Sequence, residues 1–159
     1  MEEVLKRIYE RRVLQRTLLY ANFLITAIFT LSGAYLLYLA LSRSVSAAIS
    51  TVVSCAVPFI TVSVIRRLLR APRPIDLYPS LSQVRKKQSY SFPSRHALSS
   101  MLIAVHFVSY SLPLAIVLIV LSLLLSALRT LLGYHFVRDV VCGAMLGAVG
   151  AILGIIILP

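Results

Sequence analysis

One uncharged apolar run constrains the fold of this chain more than any other feature. Residues 17–41 contain no charged side chain and are rich in leucine, alanine and aromatic residues. About 20 consecutive apolar residues are enough for a helix to cross the hydrocarbon core of a bilayer, and inside that core the backbone must satisfy its own hydrogen bonds. The run has no small-residue cleavage site and is longer than the apolar core of a secretory signal. It therefore predicts a retained transmembrane helix.

The whole chain has the composition of a membrane protein. Of its 159 residues, 59% are hydrophobic and the mean hydropathy is +0.91, whereas apolar residues make up about 45–50% of soluble domains. Pro113 divides one long apolar stretch into two segments. We therefore predict an all-α membrane protein, a compact bundle of five transmembrane helices that forms a single domain over residues 1–159. The predicted spans are residues 17–41, 44–65, 97–112, 113–132 and 139–158.

Two segments outside these spans have patterns of their own. Residues 1–16 combine charged side chains with apolar ones such as Leu5 and Ile8, which predicts an N-terminal amphipathic surface helix. Residues 66–94 are polar and basic and contain four prolines. Because proline interrupts helices, this segment is predicted to be a long loop between the second and third spans.

Basic residues collect on one side of the predicted bundle. Five spans place the N-terminal segment, the 66–94 loop and the connection before the last span on one face, and this face holds every Lys and Arg except Arg43. The positive-inside rule assigns such a face to the cytoplasm. We therefore predict a multi-pass protein of the cell membrane. The net charge of +11 also favours an anionic partner such as a lipid phosphate, and nothing in the sequence points to a nucleic acid.

A short polar motif stands where the third predicted span begins. Pro93 followed by Ser94 is typical of a helix start with Ser94 near the N-cap. The free N–H groups of the first turn and the positive end of the helix dipole would then form a seat for an anion. His96 lies in that first turn and could hydrogen-bond an oxygen held there.

A histidine and an aspartate stand four residues apart before the last span. His135 and Asp139 would lie on one helical face if that helix began near Tyr134. An aspartate that holds one ring nitrogen leaves the other free and more basic, which suits a histidine nucleophile. The spacing favours His135 over His96 for this role, because only His135 has an acidic partner one helical turn away.

Three arginines flank these groups on the same predicted face. Arg66, Arg73 and Arg129 offer planar donor forks that match the oxygens of a phosphate. Together with the helix terminus they could take the place of a metal ion in stabilising a transferring phosphoryl group. The pattern therefore predicts a phosphoryl-transfer site without a metal or another cofactor.

The three motifs resemble the type 2 phosphatidic acid phosphatase superfamily, which includes lipid phosphatases and vanadium haloperoxidases. The family signature is Lys, six residues and Arg-Pro; then Pro-Ser-Gly-His; then Ser-Arg, five residues, His, three residues and Asp. This chain carries "RRLLRAPRP", "PSRH" and "LRTLLGYHFVRD" in the same order and with the same internal spacing. The resemblance covers residues 44–158.

The resemblance implies a metal-independent phosphatase that acts on a phosphorylated membrane lipid. It implies that His135 forms a phosphohistidine oriented by Asp139, and that His96 protonates the leaving alkoxide and later assists the attack of water. The phosphoryl oxygens would be held by Arg66, Arg73, Ser94 and Arg129. Phosphatidate, phosphatidylglycerophosphate and polyprenyl mono- or diphosphates all present the same reacting group.

The chain departs from the family signature at three positions. Arg66 replaces the lysine, Leu128 replaces the serine before the motif arginine, and Arg95 replaces the glycine. Glycine allows close approach of the backbone to a phosphate, so an arginine there must point elsewhere. We consider two readings of Arg95: contact with a second phosphate or acidic head group, which would favour diphosphate lipids, or a side chain that reaches the interface.

Two further features lie inside the spans. Glycines at spacing four allow another helix to approach closely, either within the bundle or in a second copy of the chain. These glycines are Gly143, Gly147, Gly150 and Gly154. His106 lies in mid-span and is interpreted as a hydrogen-bonding residue between helices.

Two other functions are open to a chain of this pattern. A catalytically silent relative could bind phospholipid head groups or act as a scaffold, but binding alone needs no activated histidine. A transporter or channel subunit would be compatible with five spans, but the interiors of the spans carry no charges that would line a path.

Overall fold

The computed structural model describes residues 2–77 and 90–157, and every regular element in these ranges is helical. Parts of three predictions lie outside them: residue 1 of the N-terminal helix, residues 78–89 of the predicted loop, and residue 158 at the end of the last predicted span. Six α-helices occur in the described ranges: α1 Glu2–Glu10, α2 Arg12–Arg43, α3 Val45–Leu69, α4 Arg95–His106, α5 Leu112–Leu131 and α6 Val137–Ile157. The prediction of an all-α protein is confirmed.

Four of the described helices are long and apolar enough to cross a membrane, namely α2, α3, α5 and α6. This chain is therefore an integral membrane protein. The predicted count of five spans is not confirmed, because α4 has 12 residues and at 1.5 Å per residue is about 18 Å long. A short 3₁₀ turn, Phe107–Ser109, follows it where the third predicted span was to continue.

Helix α4 forms the centre of the bundle. Its residues Leu98, Leu102 and Ala104 are buried, as is Phe107 directly after it. A helix that is buried among its neighbours is apolar along its length whether or not it crosses the membrane. The apolar sequence of α4 therefore reflects burial among its neighbours.

The glycine stripe of α6 packs against the same chain. A Cβ atom at Gly143 would lie 2.4 Å from the backbone oxygen of Ser94, and one at Gly147 would lie 2.3 Å from that of Leu98. Further along, Gly150 and Gly154 face side chains of α3. The stripe thus brings α6 against α4 and α3, while assembly of two copies through this helix stays a prediction.

Enlarging Gly143 is expected to destabilise the protein and disturb the start of α4. The added methyl group of Gly143→Ala meets backbone, which cannot rotate away, so we expect the free energy of unfolding to fall by about 1–3 kcal/mol. Thermal unfolding in detergent measures this. Gly33→Ala is the matched control, because its Cβ would meet only the flexible end of Ile103 at 3.3 Å. Equal stability of the two variants would contradict the argument.

The N-terminal helix α1 is amphipathic as predicted. Its apolar residues Leu5 and Ile8 are buried, and Leu5 forms a small cluster with Ile75. The backbone N–H of Ile75 donates to the oxygen of Gly133 at 3.1 Å. These contacts bring α1, the segment after α3 and the connection before α6 to the same end of the bundle.

The opposite end carries Arg43, in agreement with the predicted sidedness of the loops. Its guanidinium donates to the backbone oxygen of Ser109 at 2.8 Å and lies 4.0 Å from the ring centroid of Tyr110. Towards this end His106 Nε2 lies 2.8 Å from Ser54 Oγ. The interpretation of His106 as a hydrogen-bonding residue between helices is confirmed, since it connects α4 to α3.

Candidate active site

The start of α4 has the predicted form. Ser94 is the N-cap, its side chain accepts from the N–H of Ala97 at 3.4 Å, and it is fully buried. Its own N–H donates to the backbone oxygen of Asp139 at 2.9 Å. This hydrogen bond therefore brings the first turn of α6 next to the free N–H groups at the start of α4.

Arg66 supports the chain that leads into this helix start. It is buried near the end of α3, and its guanidinium donates to the backbone oxygens of Tyr90, Ser91 and Pro93. The bond to Ser91 is 2.7 Å. The planar guanidinium of arginine has donors spread over several nitrogens, so it can reach three backbone oxygens at once more easily than the compact ammonium of lysine can. The predicted contact of Arg66 with phosphate stays a prediction, because these bonds go to the backbone.

His135 and Asp139 lie together, but not on one helical face. Helix α6 begins at Val137, so His135 lies in the turn before it, whereas the sequence argument placed the start near Tyr134. Asp139 Oδ2 accepts from the N–H of Phe136 at 2.8 Å. A carboxylate at the third position that bonds back to the N-cap N–H is one half of a capping box. This bond explains why α6 starts after His135.

The side chains of His135 and Asp139 lie next to each other and are both shielded from solvent. His135 is 2% exposed and Asp139 is fully buried, and His135 Nδ1 lies 3.7 Å from Asp139 Oδ2. Ser91 lies beside both: its hydroxyl donates to Asp139 Oδ2, and Oγ is 3.5 Å from His135 Nδ1. With Nδ1 facing these groups, Nε2 is the nitrogen available for chemistry.

The electrostatic surroundings keep both histidines neutral. Burial lowers the pKa of His135 below its ordinary value of 6.5, and the cations Arg73 and Arg66 lower it further, while the Asp139 carboxylate opposes the shift. Burial lowers the pKa of His96 to about 3, with added contributions from the positive charge of Arg129 and from His135. A neutral imidazole is the form in which a histidine can attack phosphorus.

The remaining arginines surround these rings. Arg73 is buried next to the 3₁₀ turn Pro74–Leu77. The guanidinium carbon of Arg129 lies 5.7 Å from the ring centroid of Tyr134. Both arginines, as well as Arg95, lower the pKa of His96 through their charge. The structure thus brings all the predicted site residues to one end of the bundle.

The side chain of Arg95 lies near Phe59 of α3. It is exposed, and its guanidinium carbon lies 5.8 Å from the ring centroid of Phe59 on α3. Contact of Arg95 with a second phosphate or acidic head group stays a prediction, as does the reading in which its side chain reaches the interface.

No cluster of three or more His, Cys, Asp or Glu side chains that could hold a metal ion is found within residues 2–77 and 90–157. The chemical groups that converge at the start of α4 are instead imidazoles, guanidiniums and backbone N–H groups.

The sequence model of the PAP2 superfamily matches residues 31–159. This chain belongs to the PAP2 superfamily. The resemblance deduced from the three motifs is therefore confirmed, and the match extends further towards the N-terminus than those motifs do.

Two solved structures share the fold of this PAP2 superfamily member. The crystal structure of Aquifex aeolicus LpxE has a TM-score of 0.72 and 21% sequence identity, covering 96% of this chain and 93% of that one. The crystal structure of a transmembrane PAP2-type phosphatidylglycerolphosphate phosphatase from Bacillus subtilis has a TM-score of 0.67 and 22% identity, covering 98% of this chain and 83% of that one. At this level of identity the likeness establishes the fold.

Ser91 is the residue at this PAP2 site that sequence reasoning missed. It stands three positions before the N-cap and contacts a carboxylate 48 residues later in the chain. Its only local signal is its place inside "YSFPSRH", next to a recognised motif. Contacts over such a separation depend on how the helices pack.

The lowered histidine pKa values predict a stability that depends on pH. In the unfolded chain these imidazoles regain a pKa near 6.5, so the unfolded state binds more protons below about pH 6.5. We therefore expect the free energy of unfolding contributed by the neutral histidines to be fully present above about pH 6.5. It should be lost progressively as the pH falls towards the His96 pKa of about 3.

Thermal unfolding of the detergent-solubilised protein between about pH 7.5 and 4 measures this dependence. Glutamine does not titrate, so the stability of the His96→Gln variant should depend less steeply on pH. An unchanged pH dependence in His96→Gln would contradict the contribution of His96.

Proposed function

We propose that this protein is an integral-membrane lipid phosphatase that works through a phosphohistidine at His135. The observation that carries the proposal is the buried contact of His135 with Asp139 beside the capped start of α4. A binding protein has no need of an oriented, neutral imidazole next to an anion seat. Membership in the PAP2 superfamily and the fold shared with a phosphatidylglycerolphosphate phosphatase support the same conclusion.

In the proposed first step, His135 Nε2 attacks phosphorus and the bond from phosphorus to the lipid oxygen breaks. His96 gives its proton to that leaving oxygen. Arg73, Arg129 and the N–H groups of α4 stabilise the charge on the other phosphoryl oxygens. Burial is the main cause of the low pKa of His96 and the nearby arginines lower it further, so a phosphate dianion that neutralises these cations raises the pKa. The substrate thus helps to protonate its own general acid.

In the second step, water attacks the phosphorus of the phosphohistidine. Neutral His96 takes a proton from that water while the bond from phosphorus to Nε2 breaks. Phosphate leaves and His135 returns to its neutral form. No other reactant is needed, and each proton that His96 donates is recovered in the next step.

The cavities of the described residues support a substrate with an apolar tail. One cavity of about 210 Å³ contains His96 together with Phe29, Ile103 and Leu125. A larger one of about 380 Å³ shares Ser99 and Ile103 with it and is otherwise almost entirely apolar. The larger cavity contains no histidine and no charged side chain. We propose that the reacting phosphate lies at His96 and that the hydrocarbon chain extends along these cavities.

Arg95 is proposed to favour lipids that carry a second phosphate. Its exposed guanidinium stands at the first position of α4, one residue past the N-cap, where it could reach an oxygen beyond the reacting group. Arg95→Gly is expected to lower kcat/KM for a polyprenyl diphosphate about tenfold relative to the monophosphate, the value of one charge-assisted hydrogen bond. An unchanged ratio would show that Arg95 does not select the substrate.

The active face is proposed to lie in the cytoplasm. The end of the bundle that carries the candidate site also carries α1 with Lys6 and Arg7, whereas Arg43 lies at the other end. Positively charged segments are retained on the cytoplasmic side during insertion.

A panel of lipids tests the proposed function directly. Phosphate release would be measured in detergent with EDTA from phosphatidate, phosphatidylglycerophosphate, and polyprenyl mono- and diphosphate. Glycerol 3-phosphate serves as the control that has the reacting group without a tail. We expect at least one lipid to be hydrolysed in EDTA and the control to be hydrolysed far more slowly. Failure to hydrolyse any lipid would support the silent relative, and loss of activity in EDTA would contradict a mechanism without metal.

A further inference from the structure

We propose that Ser91 is a positioning residue that connects Asp139 to His135 and fixes the tautomer of the nucleophile. This inference rests on the proposed function and adds a group to its machinery. Ser91 is fully buried, and its hydroxyl lies between the carboxylate and the imidazole. It does not touch the reacting atoms, so its effect passes through His135.

The hydroxyl of Ser91 is placed to connect the two side chains. His135 Nδ1 lies 3.7 Å from Asp139 Oδ2, and both this distance and the 3.5 Å to Ser91 Oγ are longer than a typical N–H···O hydrogen bond. Ser91 Oγ is closer to Nδ1, at 3.5 Å, and it donates to the same carboxylate oxygen. A hydroxyl has one proton to give and two lone pairs that accept. Since its proton goes to Asp139, Ser91 meets His135 as an acceptor.

This direction of donation places the ring proton on Nδ1. An acceptor facing Nδ1 favours the tautomer with the proton on that nitrogen, which leaves the lone pair on Nε2. The lone pair on Nε2 is the one that attacks phosphorus in the proposed mechanism. When the phosphohistidine forms, its positive charge is stabilised through Ser91 by the carboxylate.

The backbone of Ser91 is held rigidly enough for this role. Its N–H donates to the oxygen of Ala71 at 2.8 Å, and its oxygen accepts from Arg66 at 2.7 Å. Both anchors lie at or just beyond the end of α3. Arg66, in place of the family lysine, therefore supports the nucleophile indirectly by fixing Ser91.

The other groups near His135 do not supply the hydrogen-bond acceptor that Ser91 offers to Nδ1. Arg66 and Arg73 act on the ring through their positive charge, and His96 on α4 interacts with it electrostatically. The N–H of Phe136 also bonds to Asp139 Oδ2, so the carboxylate stays anchored when Ser91 is changed. Loss of the hydroxyl should therefore affect the ring more than the carboxylate.

Steady-state kinetics of Ser91→Ala on a hydrolysed lipid tests the proposal. We expect kcat to fall about 10- to 100-fold with KM unchanged, because a hydrogen bond to a charged group is lost without contact to substrate. The acidic limb of the pH profile of kcat should move to higher pH, because a less neutralised Asp139 raises the pKa of His135. A purely structural role for Ser91 would not move this limb.

Ser122→Ala is the matched control, since Ser122 is also fully buried and its hydroxyl lies 2.6 Å from that of Ser100, away from the nucleophile. It should keep the kcat and the pH profile of the unsubstituted protein. If Ser91→Ala does not fold, Ser91→Cys replaces it under the same criteria, because the thiol is a weak donor of similar size.

Three results would overturn a catalytic role for Ser91. A kcat within twofold of the control and an unmoved acidic limb would contradict the connection to His135. A raised KM at constant kcat would show that Ser91 meets the substrate instead. Absence of phosphate release from the unsubstituted protein would contradict the proposed function itself, and with it the role of Ser91.

Discussion

Replacing His135 with alanine is expected to reduce phosphate release at least about 10³-fold while the protein stays folded. Without the imidazole the proposed phosphohistidine at this position cannot form. Because His135 is 2% exposed and lies in a turn before α6, its removal leaves a small cavity and does not interrupt a helix. Phosphate release from detergent-solubilised lipid measures the effect, and thermal unfolding reports on the fold.

The matched control for this prediction is His106→Gln. His106 is also a buried, hydrogen-bonded imidazole, but its partners are Ser54 and the backbone oxygen of Leu102, towards the other end of the bundle. The His106→Gln variant should release phosphate at a rate within a few-fold of the unsubstituted protein. The unsubstituted protein, rapidly quenched during turnover of a radiolabelled lipid, should carry an acid-labile phosphate that His135→Ala lacks. A variant at position 135 that kept more than about a tenth of the activity would contradict the nucleophilic role.

Replacing Asp139 with asparagine is expected to reduce kcat about 10²- to 10⁴-fold, where about 10⁴ is the loss in serine proteases when the acid that orients the catalytic histidine loses its charge. The asparagine oxygen can still accept from the N–H of Phe136, so the start of α6 is kept. What is lost is the negative charge that stabilises a positive imidazole ring. The same assay of phosphate release measures the kcat of this variant.

Glu2→Gln is the control for the charge change in Asp139→Asn. Glu2 forms an ion pair with Lys6 on the surface, at 3.1 Å, and such pairs contribute about 0–1 kcal/mol. Its replacement should leave the activity unchanged. A loss of less than about fivefold in Asp139→Asn would show that His135 does not depend on this carboxylate.

Most of the site could be predicted because its parts are local in sequence. A serine after a proline marks the start of α4, and His96 follows within the same turn, so neither position depends on distant contacts. The face that carries the basic residues also follows from sequence, because it depends on the order of spans and loops and not on their packing.

The start of α6 shows where this local reasoning ends. The spacing of His135 and Asp139 correctly predicted that they meet, but the helical stacking invoked for it was wrong. The bond from the N–H of Phe136 to the Asp139 carboxylate begins the helix two residues after His135. The side chains still approach because the turn before α6 folds towards its first helical turn.

The sequence by itself determined that this chain is a helical membrane protein, which family it resembles, and which imidazoles, carboxylate and arginines belong to the site. Only the tertiary structure decided that α4 is a short inner helix, that Arg66 holds the backbone of residues 90–93, and that Ser91 lies between Asp139 and His135. The reason is physical. Periodicity and capping act within a few residues, whereas the packing of α6 glycines on α4 sets which distant groups share one buried space.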